Sequence, residues 1–178
     1  PICCMRFLEE IAADQFSRRP WEGALRYSSL IFFVVLVCVA AASGAQFAPG
    51  PWYDALAKPS WTPPDVFFPI AWTILYFMVA LAGWLIWKRQ GVGISLALWA
   101  VGLALNALWS YLMFGRHDIA LALIDVCVLW GTILGFIVAS WHVERISAYL
   151  FVPYLLWVTF ACALNAAIYL MNPGVLPV

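Results

Sequence analysis

The chain has 178 residues, of which 66% are apolar and only 10% charged, and its net charge is zero. A soluble domain averages roughly 45–50% apolar and about 25% charged residues, so with a mean hydropathy of +0.93 the solvent for most of this chain is lipid. Neutrality also argues against nucleic-acid binding and against a polybasic lipid anchor.

Residues 1–26 read as an N-terminal extension, amphipathic or interfacial in character. Within MRFLEEIAADQFSRR at 5–19, Phe7, Leu8, Ile11 and Phe16 fall on one side of a helix. Arg18, Arg19 and Arg26 ahead of an apolar run that ends in AAASGA also fit a secretory signal. The run is long enough to span, however, and four more spans follow, which favours a retained helix.

Residues 27–178 form the second unit. Windows 27–53, 66–87, 90–115 and 146–178 hold no Asp, Glu, Lys or Arg, and 119–143 holds one, Asp125. A spanning helix needs about 20 apolar residues, which predicts helices near 27–47, 66–88, 92–114, 119–141 and 147–171. The runs are continuous rather than alternating, so helices are preferred to barrel strands. Connectors near 88–91, 115–118 and 142–146 are short and force antiparallel neighbours. The expected fold is an all-α membrane protein, a five-transmembrane-helix up-down bundle.

The connector between the first two spans, WYDALAKPSWTPPD at 52–65, is built differently. Pro59, Pro63 and Pro64 stiffen it. Asp54 is placed to cap a short helix through Ala55–Lys58, and Pro69 sits in the first turns of the second span, where its missing N–H costs least. A stiff connector folds back over the bundle mouth, which makes Trp52, Tyr53 and Trp61 lid and rim. An interfacial aromatic belt is the plainer alternative.

Helical spacing allows a cavity beneath that lid. Phe68, Trp72 and Tyr76 recur at i, i+4, i+8 in the second span. Asn106, Trp109, Ser110 and Met113 share a face of the third, and Trp157, Ala161, Leu164, Asn165 and Ile168 a face of the fifth. Ser43 and Gly44 add small residues near the end of the first. The Asn106 and Asn165 amides either bond between helices or contact a ligand. Aromatic walls with few polar groups suit a flat apolar molecule such as a porphyrin or a sterol.

Signals for catalysis and metal binding are poor. No nucleophile–base set, paired carboxylates, phosphate loop or metal-ligand spacing is present, and no cofactor is expected. The five Cys read as small hydrophobes. His117 and His142 fall in connectors on opposite sides and read as interface residues. Asp125 is either an intramembrane functional acid or lies close enough to the span's end to reach headgroup water.

Several of these blocks in order carry a family likeness. WYDALAKPSWTPP with Trp72 following, LNALWSY at 105–111 and VPYLLWVTFACALN at 152–165 resemble the translocator protein family (TspO/MBR, the tryptophan-rich sensory or peripheral benzodiazepine receptor proteins) over residues 28–171. The resemblance implies a ligand cavity lined by Ser43, Tyr53, Pro63, Phe68, Trp72, Tyr76, Asn106, Trp109, Val126, Trp157, Ala161 and Leu164. It implies a receptor or carrier for porphyrins (tetrapyrroles, haem included as ligand) in tetrapyrrole handling or stress regulation. It also implies an alternative, a light-dependent protoporphyrin-degrading enzyme using Trp72 and Trp157. A structural or regulatory membrane protein is the third reading. Tyr169 is followed by LMNPGVLPV with no basic residue, so the cholesterol-recognition pattern of animal members is absent.

The expected partners are a porphyrin or another apolar small molecule, sterols among them, the bilayer and a second copy of the chain. Ala100 with Ala104, and Gly131 with Gly135, are small pairs at the spacing that lets helices pack closely. With the N-terminus inside, seven basic residues (Arg6, Arg18, Arg19, Arg26, Lys88, Arg89, Arg145) lie inside and two (Lys58, Arg116) outside. That asymmetry places the 52–65 connector and the C-terminus outside. An impermeant thiol reagent is expected to label Lys58→Cys from outside and Arg89→Cys from inside, and the reverse pattern would overturn this orientation.

Overall fold

The computed structural model describes residues 20–174, with side chains from residue 28 onward. Of the 1–26 extension, residues 1–19 lie outside the described residues, and the first helix takes in the remainder. The helices are α1 (Pro20–Ala45), α2 (Pro51–Ala55), α3 (Phe67–Gln90), α4 (Ile94–Ser110, continued by a π turn at Tyr111–Gly115), α5 (Ile119–Ser140) and α6 (Arg145–Met171). All but α2 contain a stretch long and apolar enough to cross a membrane. The expected all-α five-helix class is the observed one.

Local chemistry sets the ends. The Asp118 carboxylate accepts the Leu121 N–H at 2.9 Å and caps α5. Glu144 accepts the Ile146 N–H at 3.3 Å at the start of α6. Gly91 closes α3 at φ +67°, a conformation a side chain resists, and Lys88 and Arg89 complement the last turn. The short connector helix differs from expectation. It spans Pro51–Ala55, with proline at its first position, so Asp54 lies inside it and caps nothing.

The helices form a ring in the order α1, α3, α6, α5, α4, which closes back on α1. Neighbours in the chain are antiparallel, yet α3 and α4 barely meet along their backbones. The Trp99 side chain fills the space between them. Its indole N–H donates to the Val79 carbonyl at 2.8 Å, and its ring meets Phe33 of α1 edge-on at 5.1 Å. Elsewhere small residues bring backbones together. Ala82, Ser147 and Ala148 have no exposed surface, and the Ser147 hydroxyl donates to the Ala82 carbonyl at 3.1 Å.

One core runs through the middle of the ring, with Phe33, Val79, Ile86, Trp99, Leu129, Ile133, Phe136 and Phe151 among its members. A second cluster lies at the connector end, built on Leu56, Met113, Ile119, Ala122, Leu164 and Ile168. The opposite end carries the Arg89–Glu144 ion pair, Nε to Oε2 3.2 Å. Arg89 is mostly exposed there, so the pair aligns α3 with α6 more than it stabilises them.

Gly83 is where α3 has least room. A Cβ there would stand 2.5 Å from the Trp99 ring and 2.9 Å from Phe33. Gly83→Ala is therefore expected to cost about 1–3 kcal/mol by overpacking, read as a lower melting temperature in detergent. Gly131→Ala, with nothing within 4 Å of an added Cβ, is the control and should leave it unchanged.

Candidate functional site: the aromatic end of the bundle

The α3 stripe faces α6 as its spacing requires. Trp72 stacks on Tyr76 at 5.2 Å. It meets Trp157 edge-on at 6.5 Å and Tyr154 at 6.2 Å. Phe68 stands edge-on to Trp157 at 5.9 Å. Five rings from two helices thus form one group in the half of the bundle nearer the connector.

Hydrogen bonds tie this group to α4. The Tyr76 hydroxyl donates to Asn106 Oδ1 at 2.8 Å, and Asn106 Nδ2 donates to the Tyr154 hydroxyl at 3.0 Å. Asn165 makes a second bridge. Its Oδ1 accepts the Trp109 indole N–H at 3.1 Å, and its Nδ2 donates to the Ile119 carbonyl at 3.2 Å. Both amides are buried and both bond between helices, which is one of the two roles expected of them. Four indoles commit their N–H groups: Trp84, Trp99, Trp109 and Trp130 donate to Ser29, Val79, Asn165 and Thr159. Trp72 and Trp157, which pack against the main core, leave theirs unbonded within the described residues, and within the aromatic group of α3 and α6 they are the two indoles.

The connector lies over this end. Ala57 and Asn172 exchange two hydrogen bonds, N–H to Oδ1 and Nδ2 to the carbonyl, each at 2.9 Å. Leu56 is buried. Tyr53 meets Phe114 edge-on at 5.3 Å, and Trp61 meets Phe160 at 5.7 Å. Burial, with Asp65 and Asp54 nearby, holds the Tyr53 phenol above its ordinary pKa, so it stays neutral. Trp52 stacks on His117 at 4.2 Å, and His117 holds a left-handed backbone at φ +53°. His117 is thus a half-buried part of the roof rather than a solvated interface residue, while His142 is exposed at the other end.

The other sequence-predicted residues divide by position. Trp109 and Leu164 belong with the connector-end cluster, next to Tyr53 and Phe68. Val126 is buried in the main core, and Ala161 packs against it. Pro63 is half-buried in the connector. The Ser43 hydroxyl turns back to the Ala40 carbonyl at 2.8 Å. Tyr154 was not among the expected residues, although it lies three positions before Trp157 on the same face. Asp125 is 6% exposed, and its Oδ2 is buried with no hydrogen-bond partner. Among the described residues no group of three or more His, Cys, Asp or Glu is arranged to hold a metal ion.

Comparison with known proteins adds a family context. Residues 30–170 match the TspO/MBR family. Protein CrtK of Rhodobacter capsulatus is 40% identical over 152 residues, covering 83% of this chain and 94% of that protein. The tryptophan-rich sensory protein of Cereibacter sphaeroides is 39% identical over 139 residues, covering 78% and 88%. The translocator protein of Homo sapiens is 32% identical over 166 residues, covering 87% and 93%.

Asn106→Leu strands two tyrosine hydroxyls at once. Leaving a buried polar group unpaired costs about 1–3 kcal/mol, so this variant is expected to melt well below the parent. Tyr76→Phe, which removes one donor and leaves Asn106 its bond to Tyr154, is expected to cost less. Equal losses in the two variants would show that the bridge is not the stabilising feature.

Proposed function

The chain belongs to the TspO/MBR family, and we propose that it is an integral membrane receptor or carrier for porphyrins and similar flat apolar ligands. The ligand stacks within the aromatic group of α3 and α6, under the 52–65 connector, in tetrapyrrole handling or stress regulation. The observation that carries this reading is the pair Trp72 and Trp157. Both indoles are half-buried, stand edge-on to each other, and spend no N–H on the scaffold among the described residues. Aromatic walls with few polar groups suit such a ligand, and the bridge of Tyr76, Asn106 and Tyr154 holds those walls in place.

A second reading, breakdown of bound protoporphyrin under light, is favoured by the 6.5 Å approach of the same two indoles. It shares the binding step, so dark and illuminated incubations separate the two.

We propose further that the N-terminus lies inside and that the chain forms a homodimer through α4. Ala100 and Ala104 are both exposed on the lipid-facing side of α4. On α5 the small pair divides, since Gly135 packs against Leu98 of its own chain while Gly131 faces open space. Mass measurement in detergent is expected to give a dimer that Ala104→Leu weakens. A monomer in both would count against this assembly.

Stacking on an indole is worth about 0.5–1.5 kcal/mol beyond area burial, which corresponds to roughly 2–12-fold in affinity. Trp72→Phe and Trp157→Phe keep a smaller aromatic face, so each is expected to weaken protoporphyrin binding modestly, toward the low end of that range, in a fluorescence-quenching titration of folded protein. Any light-dependent loss of porphyrin should fall much further, because phenylalanine stacks but is far harder to oxidise. Trp84 is tied to Ser29 and lies 4.4 Å from Lys88 Nζ, and Trp87 is 41% exposed. Phenylalanine at either position should change neither quantity, and sensitivity there equal to that of Trp72 would place the site at the wrong end.

A further inference from the structure

Two routes lead to the aromatic group, and they differ in what must be broken to open them. The first passes the connector. It requires loss of the double hydrogen bond between Ala57 and Asn172. It also exposes buried Leu56 and unstacks Trp52 from His117. Every one of those changes puts apolar surface or unpaired polar groups into water.

The second route is an open apolar cleft of about 380 Å³ between α3 and α6, lined by Ala71, Ile74, Leu75, Pro153, Leu156, Trp157 and Phe160. That volume is within the roughly 300–1,000 Å³ of small-molecule sites. Ile74 and Leu156 stand on its rim, 56% and 66% exposed, in the part of the helices that crosses the bilayer. Trp157 is one of its lining residues, and its ring also meets Trp72 and Phe68. The cleft and the aromatic group therefore share a side chain. Widening it costs little, because a lipid tail is as apolar as the side chains it replaces. Pro153 lies in the α6 wall of the cleft. It has no N–H to donate to the carbonyl four residues earlier, so the helix is softest there.

We infer that the aromatic site is loaded sideways from the bilayer, through the α3–α6 cleft, by apolar ligands already dissolved in lipid. The inference rests on the preceding reading that this aromatic group binds such a ligand. Under it the connector serves as a fixed roof, and the membrane itself is the ligand reservoir.

The test measures rates and affinity together on protein in lipid vesicles, with protoporphyrin delivered from donor vesicles and tryptophan quenching followed by stopped flow. Ala71→Phe narrows the cleft. It is expected to slow association and dissociation by about tenfold each, with the equilibrium affinity within about twofold of the parent. Leu156→Ala trims a lipid-facing rim residue and should accelerate both. The double variant Ala57→Cys with Asn172→Cys, oxidised to fasten the connector to α6, should leave both rates unchanged. Rates that ignore the two cleft variants overturn the lateral route, and so does slow binding in the cross-linked protein that a reductant restores. Unmoved rates with intact equilibrium binding sink this inference alone. Absence of saturable binding in the parent protein sinks the pocket reading, and the route with it.

Discussion

An amide buried where no water reaches must find its partners in protein, and the rest of this bundle is arranged around that requirement at Asn106. One oxygen accepts from Tyr76 of α3, and one nitrogen donates to Tyr154 of α6. That pattern holds only if α3 and α6 are neighbours and α4 faces both across the ring, which is the observed order. Making a hydrogen bond between membrane helices gains only about 0.6 kcal/mol on average, so this bridge orients the helices more than it holds them, although stranding its buried groups is costly. Cohesion comes from close packing, seen where Ala82, Ser147 and Ala148 have no exposed surface and where Gly83 lies under the Trp99 ring.

The spans were legible because a single quantity, the absence of charge, marks residence in lipid. The expected 66–88 and 119–141 became Phe67–Gln90 and Ile119–Ser140. The first helix starts earlier than charge alone suggested, at Pro20, since a helix needs no hydrocarbon around its first turns. Ring order was not legible. Short connectors fix that two helices run antiparallel, but they do not say what lies between them, and here α3 and α4 meet mainly through the Trp99 side chain, whose indole bonds to Val79.

Within the site the aromatic stripe was readable, because an i, i+4, i+8 series has only one face on which to fall. Trp72, Tyr76 and Trp157 meet as that spacing requires. Tyr154 was missed for want of weight given to a tyrosine three positions from a tryptophan. Asp54 misled for a different reason. An acidic residue ahead of three apolar-compatible positions resembles a cap, but Pro51 had already begun the helix three residues before. The hydrogen bonds from Asn172 to Ala57 could not have been found by any local rule, since the partners lie 115 residues apart.

Those bonds have a mechanical meaning when taken with the ion pair at the far end. Asn172, just past the end of α6, is tied to the connector, and Glu144, just before its start, is tied to Arg89 at the end of α3. Ties at both ends resist swinging and sliding of the helix as a whole. Its remaining soft motion is to bow at its weakest joint, and in α6 that joint is Pro153. Bowing displaces the middle of the helix while its ends stay in place. The residue just past the joint is Tyr154, the acceptor of the Asn106 amide, so a bow at that joint would strain the hydrogen-bonded bridge to α4.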